Sequence, residues 1–157
     1  MSSDESLETA LQKAYRYLGH RDRTVAELRR YLVGKNVSED LAEEAIEELV
    51  GQGYVDDARF ARQFAEDRRR LDSWGSDRIE RRLRELWVAR EDVAAAIAVL
   101  DAGGDEVDAA VEFLRRRFRV PPVTDRDRDR ALGMLVRRGY DLELAYDAIR
   151  ALGRDAA

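Results

Sequence analysis

Residues 24–49, TVAELRRYLVGKNVSEDLAEEAIEEL, contain two helix starts and two amphipathic segments separated by a short turn. Thr24 and Glu27 have the spacing of a capping box, in which each side chain satisfies a backbone N–H at the start of a helix. Ser38 is a good N-cap for the second segment. In both segments the apolar residues recur at steps of three and four, which is the period of one helix face. The stretch therefore predicts two short helices that pack together.

The pattern of this stretch returns twice further along the chain. The middle segment of each copy carries two apolar residues four apart, and the copies are offset by 51 and 52 residues: Leu28 and Leu32, Ile79 and Leu83, Ala131 and Leu135. With the flanking segments, the pattern predicts an all-α fold of three tandem three-helix-bundle repeats. Each repeat is expected to pack mainly on its neighbours. We place the three modules at residues 1–53, 54–104 and 105–157.

Composition supports a helical protein and excludes several classes of site. The 157 residues are 45% hydrophobic and 39% charged, which is enough apolar material for a core beneath a highly charged surface. The absence of cysteine excludes disulfides and thiolate metal sites, and His20, the single histidine, cannot form a histidine metal site alone. No phosphate loop or dinucleotide fingerprint is present. We therefore predict no cofactor, no metal and no catalytic residue.

The N-terminal stretch, the apolar runs and the net charge limit the expected location and partners of the protein. The N-terminal stretch MSSDESLETA is acidic and polar, unlike a signal peptide, and no apolar run is long enough to span a membrane. We expect a cytoplasmic monomer that does not contact membranes. The net charge of −5 argues against a plain nucleic-acid binder. The N-terminal third holds the acidic excess, whereas most arginines lie further along.

A nine-residue string joins the first two predicted modules: Gly53-Tyr54-Val55-Asp56-Asp57-Ala58-Arg59-Phe60-Ala61. This string resembles the signature of the RecX family, which regulates the RecA recombinase. Flanking motifs agree, with Trp74-Gly75-x-x-Arg78-Ile79 in the central module and Leu135-x-x-x-Gly139-Tyr140 in the third. The resemblance covers residues 9–152.

The resemblance implies an elongated, curved array of three helical modules. It also implies binding along the RecA–single-stranded-DNA filament, with inhibition of ATP hydrolysis and strand exchange as the chief effect. Weak direct binding to DNA is compatible with this role. The chain departs from the family at Trp87, where a glycine usually precedes the small apolar residue that ends the second helix of the central module. A tryptophan there is expected either to fill a groove or to lie exposed.

Asp56 and Asp57 form the conspicuous carboxylate pair of the sequence. Catalysis would need a nucleophile, a metal or a second acid–base group nearby, and no motif supplies one. The alternative, which we favour, is an N-cap followed by a first-turn acid at the junction of two modules. On this interpretation the signature is mostly structural, with Phe60 buried and Arg59 paired to a carboxylate.

Arginine clusters are the better candidates for contacts with a filament or with DNA. The arginine runs at residues 68–70 and 115–117 have few internal acids, so we expect them to be poorly paired within their own helices. Trp74 lies in a Ser/Gly turn and is expected to be exposed. Arg81 and Arg84 have acids four residues earlier and could instead belong to a solvated, self-paired face. The complete candidate set is Arg68, Arg69, Arg70, Trp74, Arg78, Arg81, Arg84, Arg115, Arg116 and Arg117.

A second class of function stays open, namely a helical DNA-binding protein of the helix-turn-helix type. Two helices joined by a short turn, as in residues 28–49, could dock in a groove of DNA. The acidic third helix of the first module and the negative net charge argue against it.

Overall fold

The computed structural model describes residues 6–155, and this part of the chain contains nine α-helices and no strand. The helices are α1 (Leu7–Leu18), α2 (Val25–Gly34), α3 (Glu39–Gly51), α4 (Asp57–Asp72), α5 (Ser76–Glu85), α6 (Arg90–Gly103), α7 (Glu106–Arg117), α8 (Asp125–Arg137) and α9 (Leu142–Asp155). The predicted all-α class is therefore confirmed. Within residues 6–155, none of the helices has the length and apolar character needed to cross a membrane.

Side-chain caps fix where several helices begin. The Thr24 hydroxyl accepts from the N–H of Glu27 at 3.1 Å, and the Glu27 carboxylate accepts from the N–H of Thr24 at 3.1 Å, which is the predicted capping box. The Ser38 hydroxyl accepts from the N–H of Leu41. Each such cap contributes about 1 kcal/mol to the stability of its helix. The starts of α2 and α3 thus follow from local sequence.

Three hydrophobic clusters form the core, one in each group of three consecutive helices. In the first group, α1 and α2 pack on α3. In the second group, α4 and α5 pack on α6, and in the third group, α7 and α8 pack on α9. The paired apolar residues that mark the repeat are all fully buried: Leu28 and Leu32, Ile79 and Leu83, Ala131 and Leu135. We call the groups α1–α3, α4–α6 and α7–α9 units one, two and three. The module bounds drawn from the sequence stay predictions.

The middle helix of each unit ends in the same left-handed turn. The turn residues are Asn36, Trp87 and Gly139, with φ of 67°, 61° and 97°. The next N–H then donates back to the helix, as Val88 does to the carbonyl of Leu83 at 3.1 Å. The departure at Trp87 therefore leaves the turn intact. Its side chain is 80% exposed, and the backbone adopts a conformation in which glycine alone is free of strain.

Candidate interaction site

The signature string lies at the joint between units one and two. Asp56 caps α4, because its carboxylate accepts from the N–H of Arg59 at 3.0 Å. The Asp57 carboxylate reaches across the joint and accepts from the N–H of Val25, the first residue of α2, at 2.9 Å. Both carboxylates are therefore engaged by backbone N–H groups. This geometry favours the structural interpretation of the pair over a catalytic one.

A second bond crosses the same joint, from the buried Thr24 hydroxyl to the carbonyl of Leu86 at 3.2 Å. Burial raises the pKa of Asp57, and the hydrogen bond from Val25 opposes that rise. The neighbouring carboxylate of Asp92 raises the pKa further. Within residues 6–155, no group of three or more histidine, cysteine or acidic side chains could hold a metal ion.

The other signature residues shape the same region. Gly53 adopts φ of 81° in the turn after α3, and Phe60 and Ala61 are buried in the core of unit two. The expectation that Arg59 pairs with a carboxylate is wrong. Its guanidinium donates to the carbonyl of Gly53 at 3.1 Å, because a helical side chain leans toward the N-terminus of its helix, where this carbonyl is free.

The joint between units two and three is a direct contact of backbones. The N–H of Gly75 donates to the carbonyl of Arg138 at 2.7 Å. A Cβ atom on Gly75 would lie within 3.0 Å of the backbone of Gly139, closer than real Cβ atoms approach other atoms. The buried Tyr140 hydroxyl donates to the carbonyl of Ser73 at 2.9 Å. Burial raises the pKa of Tyr140 to about 12, so this hydroxyl stays a neutral donor.

The first arginine run is paired within the protein, contrary to the prediction. Arg68 pairs with Asp72, and Arg70 lies 3.6 Å from Asp67. The two acids flank the run at helical spacing, so they reach it although they do not interrupt it. The prediction counted acids inside the run and overlooked those one turn away.

Arg69, the middle residue of the first run, points into the protein and has a structural role. It is mostly buried and donates to the carbonyl of Trp74 and to the hydroxyl of Ser76, each at 2.8 Å. Its guanidinium also lies 3.8 Å from the carboxylate of Glu106 at the start of α7. Arg69 therefore holds the α4–α5 loop and ties it to unit three.

The second run is only partly paired. Arg115 is 2.6 Å from the carboxylate of Asp155. Arg116 and Arg117 are exposed and form no ion pair with any residue in 6–155, although Arg117 lies over the ring of Phe113 at 5.3 Å. The prediction of poor pairing thus agrees with the geometry of two of the three residues.

The candidates Arg81 and Arg84 on α5 also differ in whether they form an ion pair. Arg84 forms the expected pair with Glu80 at 3.1 Å. Arg81 is exposed and forms no ion pair within the described chain. Asp77, its expected partner, lies at the joint with unit three, where burial and the nearby carboxylate of Asp141 raise its pKa.

Trp74 is half-buried, so the expectation of an exposed ring is wrong. Ser73 adopts a left-handed conformation with φ of 57°, and the chain turns back so that the ring meets Phe64 edge-on at 6.1 Å. The guanidinium of Arg78 covers the ring at 4.2 Å. The Ser/Gly turn therefore belongs to the core of unit two.

The fold brings together four arginines from three separate stretches of the sequence. A crevice of about 340 Å³ at the second joint is lined by Arg78, Phe113, Arg117, Met134, Arg137 and Arg138. Arg78 and Arg117 were candidates on sequence grounds, whereas Arg137 and Arg138 were missed. Their position just before the Gly139-Tyr140 motif was a signal, but only the fold shows that this motif faces α5. We call this feature the joint crevice.

Comparison with known proteins identifies related sequences along most of the chain. Residues 10–49 match the family model of the first three-helix domain of RecX, and residues 56–97 match that of the second. The chain is 34% identical to the regulatory protein RecX of Mycolicibacterium vanbaalenii, over 95% of this chain and 86% of the relative. It is 34% identical to the regulatory protein RecX of Trichlorobacter lovleyi, over 83% of this chain and 87% of the relative.

Solved structures show the same fold. The crystal structure of RecX from Lactobacillus salivarius aligns with a TM-score of 0.83 at 19% identity, and covers 98% of this chain and 99% of its own. A crystal structure of regulatory protein RecX aligns with a TM-score of 0.77 at 21% identity, covering 92% of this chain and 71% of its own. At these identities the likeness shows the fold alone.

Proposed function

We propose that this chain, which belongs to the RecX family of regulatory proteins, regulates the RecA recombinase. In this proposal it binds along the RecA–single-stranded-DNA filament and chiefly inhibits ATP hydrolysis and strand exchange. It acts as a cytoplasmic monomer by binding, without catalysis of its own. The single observation that carries the proposal is the family match, which two domain models and 34% identity over most of the chain support.

The repeat architecture suits such a partner. A helix of about 12 residues is about 18 Å long, so three units in an elongated, curved array would extend on the order of 50–60 Å. That length would let one chain contact more than one subunit of a filament. A filament is itself a repeat, and a repeated module can meet successive equivalent surfaces.

Exposed arginines are the proposed source of charged contacts. Among the candidates, the side chains that face solvent are Arg70, Arg81, Arg84, Arg115, Arg116 and Arg117. Arg81 and Arg116 form no ion pair within residues 6–155 and, unlike Arg117, do not lie over an aromatic ring, so they are the strongest of the set. Trp74 and Arg69 are already engaged within the fold, so we do not propose them as first contacts.

Retention on filaments tests the proposal. The wild-type chain should co-sediment with RecA–single-stranded-DNA filaments at a salt concentration that abolishes its binding to bare DNA, because buried protein–protein area contributes a term that salt barely screens. If the chain binds bare DNA as tightly as filaments at every salt concentration, the helix-turn-helix alternative replaces this proposal.

Charge reversal tests the contact residues. Arg81→Glu/Arg116→Glu should weaken filament retention by about tenfold, since each reversal turns an attraction into a repulsion. The matched control is Arg126→Glu/Arg154→Glu, which alters two exposed arginines of unit three and should have a smaller effect. Equal effects of the two variants would show that net charge alone matters.

A further inference from the structure

The joint crevice collects positive charge from two units. Arg78 comes from α5 of unit two, Arg117 comes from α7, and Arg137 and Arg138 come from the end of α8 in unit three. Phe113 and Met134 supply the remaining lining. Among residues 6–155, no acidic side chain lines this crevice, although the chain as a whole has 33 acidic and 28 basic residues.

The four guanidinium groups have no carboxylate partner in the part of the chain that the structure describes. None of them forms an ion pair with any of residues 6–155, whereas many arginines elsewhere pair with neighbouring acids: Arg21, Arg29, Arg68, Arg70, Arg82, Arg84, Arg115, Arg128 and Arg150. Four like charges around one crevice repel one another. An anion in the crevice would relieve that repulsion and satisfy N–H donors that now face solvent.

Two of the four groups are already held in place. Arg78 donates to the carbonyl of Arg137 at 3.3 Å and lies over the ring of Trp74 at 4.2 Å. Arg138 donates to the carbonyl of Asp72 at 2.7 Å and lies over the ring of Phe113 at 4.9 Å. Carbonyl and ring contacts order a guanidinium without neutralising its charge. Less side-chain entropy is then lost when a ligand binds.

We propose that the joint crevice binds a phosphoryl group. A phosphoryl group presents several oxygens around one centre, so it can receive N–H forks that arrive from different helices. A carboxylate offers only two coplanar oxygens to the same set of donors. The phosphoryl group can come from a free polyphosphate or from the backbone of a nucleic-acid strand. Either ligand would bridge units two and three, and this binding does not require RecA.

Calorimetric titration with inorganic pyrophosphate tests the site. Arg117→Gln/Arg137→Gln removes the two crevice arginines whose side chains form no hydrogen bond or ion pair within the described chain, and it should weaken pyrophosphate binding at least tenfold, by about 1.4 kcal/mol. The control Arg126→Gln/Arg154→Gln removes the same charge from exposed positions of unit three outside the crevice, and should stay within about twofold of wild type. Arg117→Lys/Arg137→Lys keeps the charge but removes the forks, so it should bind with intermediate strength.

The outcomes separate the sources and the alternatives. If a short oligodeoxythymidylate binds more tightly than pyrophosphate and loses affinity in the crevice variant alone, the source is a strand. If pyrophosphate binds and the oligonucleotide does not, the source is a free phosphate. Equal losses in the crevice and control variants, the absence of any binding, or citrate binding as tightly as pyrophosphate would each overturn the proposal.

Tryptophan fluorescence provides a second readout for the bridge between units. The chain has two tryptophans, Trp74 and Trp87, so Trp87→Phe leaves Trp74 as the only reporter. Since Arg78 lies over the Trp74 ring, a ligand that engages Arg78 should change the emission saturably. Unchanged emission at saturating pyrophosphate would contradict the participation of unit two.

Discussion

The two joints between units are built from different kinds of contact. At the first joint, side chains cross: the Asp57 carboxylate accepts from the N–H of Val25, and the Thr24 hydroxyl donates to a backbone carbonyl. Side chains such as Tyr140 also cross the second joint, but there the backbone at Gly75 meets the backbone at Gly139 with no room for a Cβ atom. Both joints should therefore respond to side-chain chemistry, the first should respond to pH, and the second should respond most strongly to steric change.

The largest effect is expected from Gly75→Ala. The added Cβ would overlap the backbone of Gly139, and backbone cannot move aside as a flexible side chain can, so the free energy of unfolding should fall by about 3 kcal/mol. Urea unfolding monitored by circular dichroism measures the loss. Gly103→Ala is the matched control, because a Cβ there meets nothing within 4 Å and should change stability by less than about 1 kcal/mol. Similar values for the two variants would contradict the close contact at the second joint.

Tyr140→Phe should cost less, about 1.5 kcal/mol, because it removes one hydrogen bond and leaves the carbonyl of buried Ser73 without its donor. Thermal unfolding measures this loss. Tyr146→Phe serves as the control, since Tyr146 is exposed and its change should stay within about 0.5 kcal/mol. A loss of less than 0.5 kcal/mol for Tyr140→Phe as well would mean that the second joint does not depend on this bond.

Trp87→Gly should stabilise the chain by about 1 kcal/mol, because glycine adopts the left-handed turn without strain. Trp87 follows Leu86, whose carbonyl accepts at the first joint, so the substitution tests the turn that positions this acceptor. Trp87→Ala removes the same ring but keeps the strain, and should bring no gain. Chemical denaturation of the three proteins compares them directly. Equal stabilities for the glycine and alanine variants would show that backbone strain is not the cause.

The smallest effect concerns pH at the first joint. Burial raises the pKa of Asp57 above its ordinary value of 3.8, so the folded state holds the proton more tightly than the unfolded state. The stability contributed by this proton is present at low pH and is lost as pH rises through the folded pKa. The neutral variant Asp57→Asn should therefore gain stability relative to wild type between pH 3 and pH 7. Denaturant midpoints at the two pH values measure the change, and a constant difference would contradict the burial of Asp57.

The helices and the repeat follow from local sequence, whereas the joints do not. The capping box at Thr24 and the buried pairs such as Ile79 and Leu83 lie within one helix or its first turn. Their spacing can therefore be recognised in the sequence alone. The contact of Gly75 with Gly139 joins residues 64 positions apart. Nothing in the sequence near either glycine specifies the other as its neighbour.

Candidate residues whose contacts lie within one helix were placed correctly. Arg84 pairs with Glu80 four residues earlier, as predicted from helical spacing. The contact of Arg59 was predicted incorrectly because its guanidinium donates to the carbonyl of Gly53. The exposure of Trp74 was predicted incorrectly because the left-handed turn at Ser73 directs its ring inward. Arg137 and Arg138 lie beside Arg78 only because the second joint brings units two and three together. Long-range packing is thus the information that the sequence pattern lacks.

Titration of RecA ATP hydrolysis with the wild-type chain tests the central claim most directly. RecA is assembled on single-stranded DNA, and the chain is added at a salt concentration where it does not bind bare DNA. The proposed function predicts a saturable fall in the rate of ATP hydrolysis as filament-bound chain accumulates. An unchanged rate at concentrations where a folded chain is in large excess over RecA would contradict it.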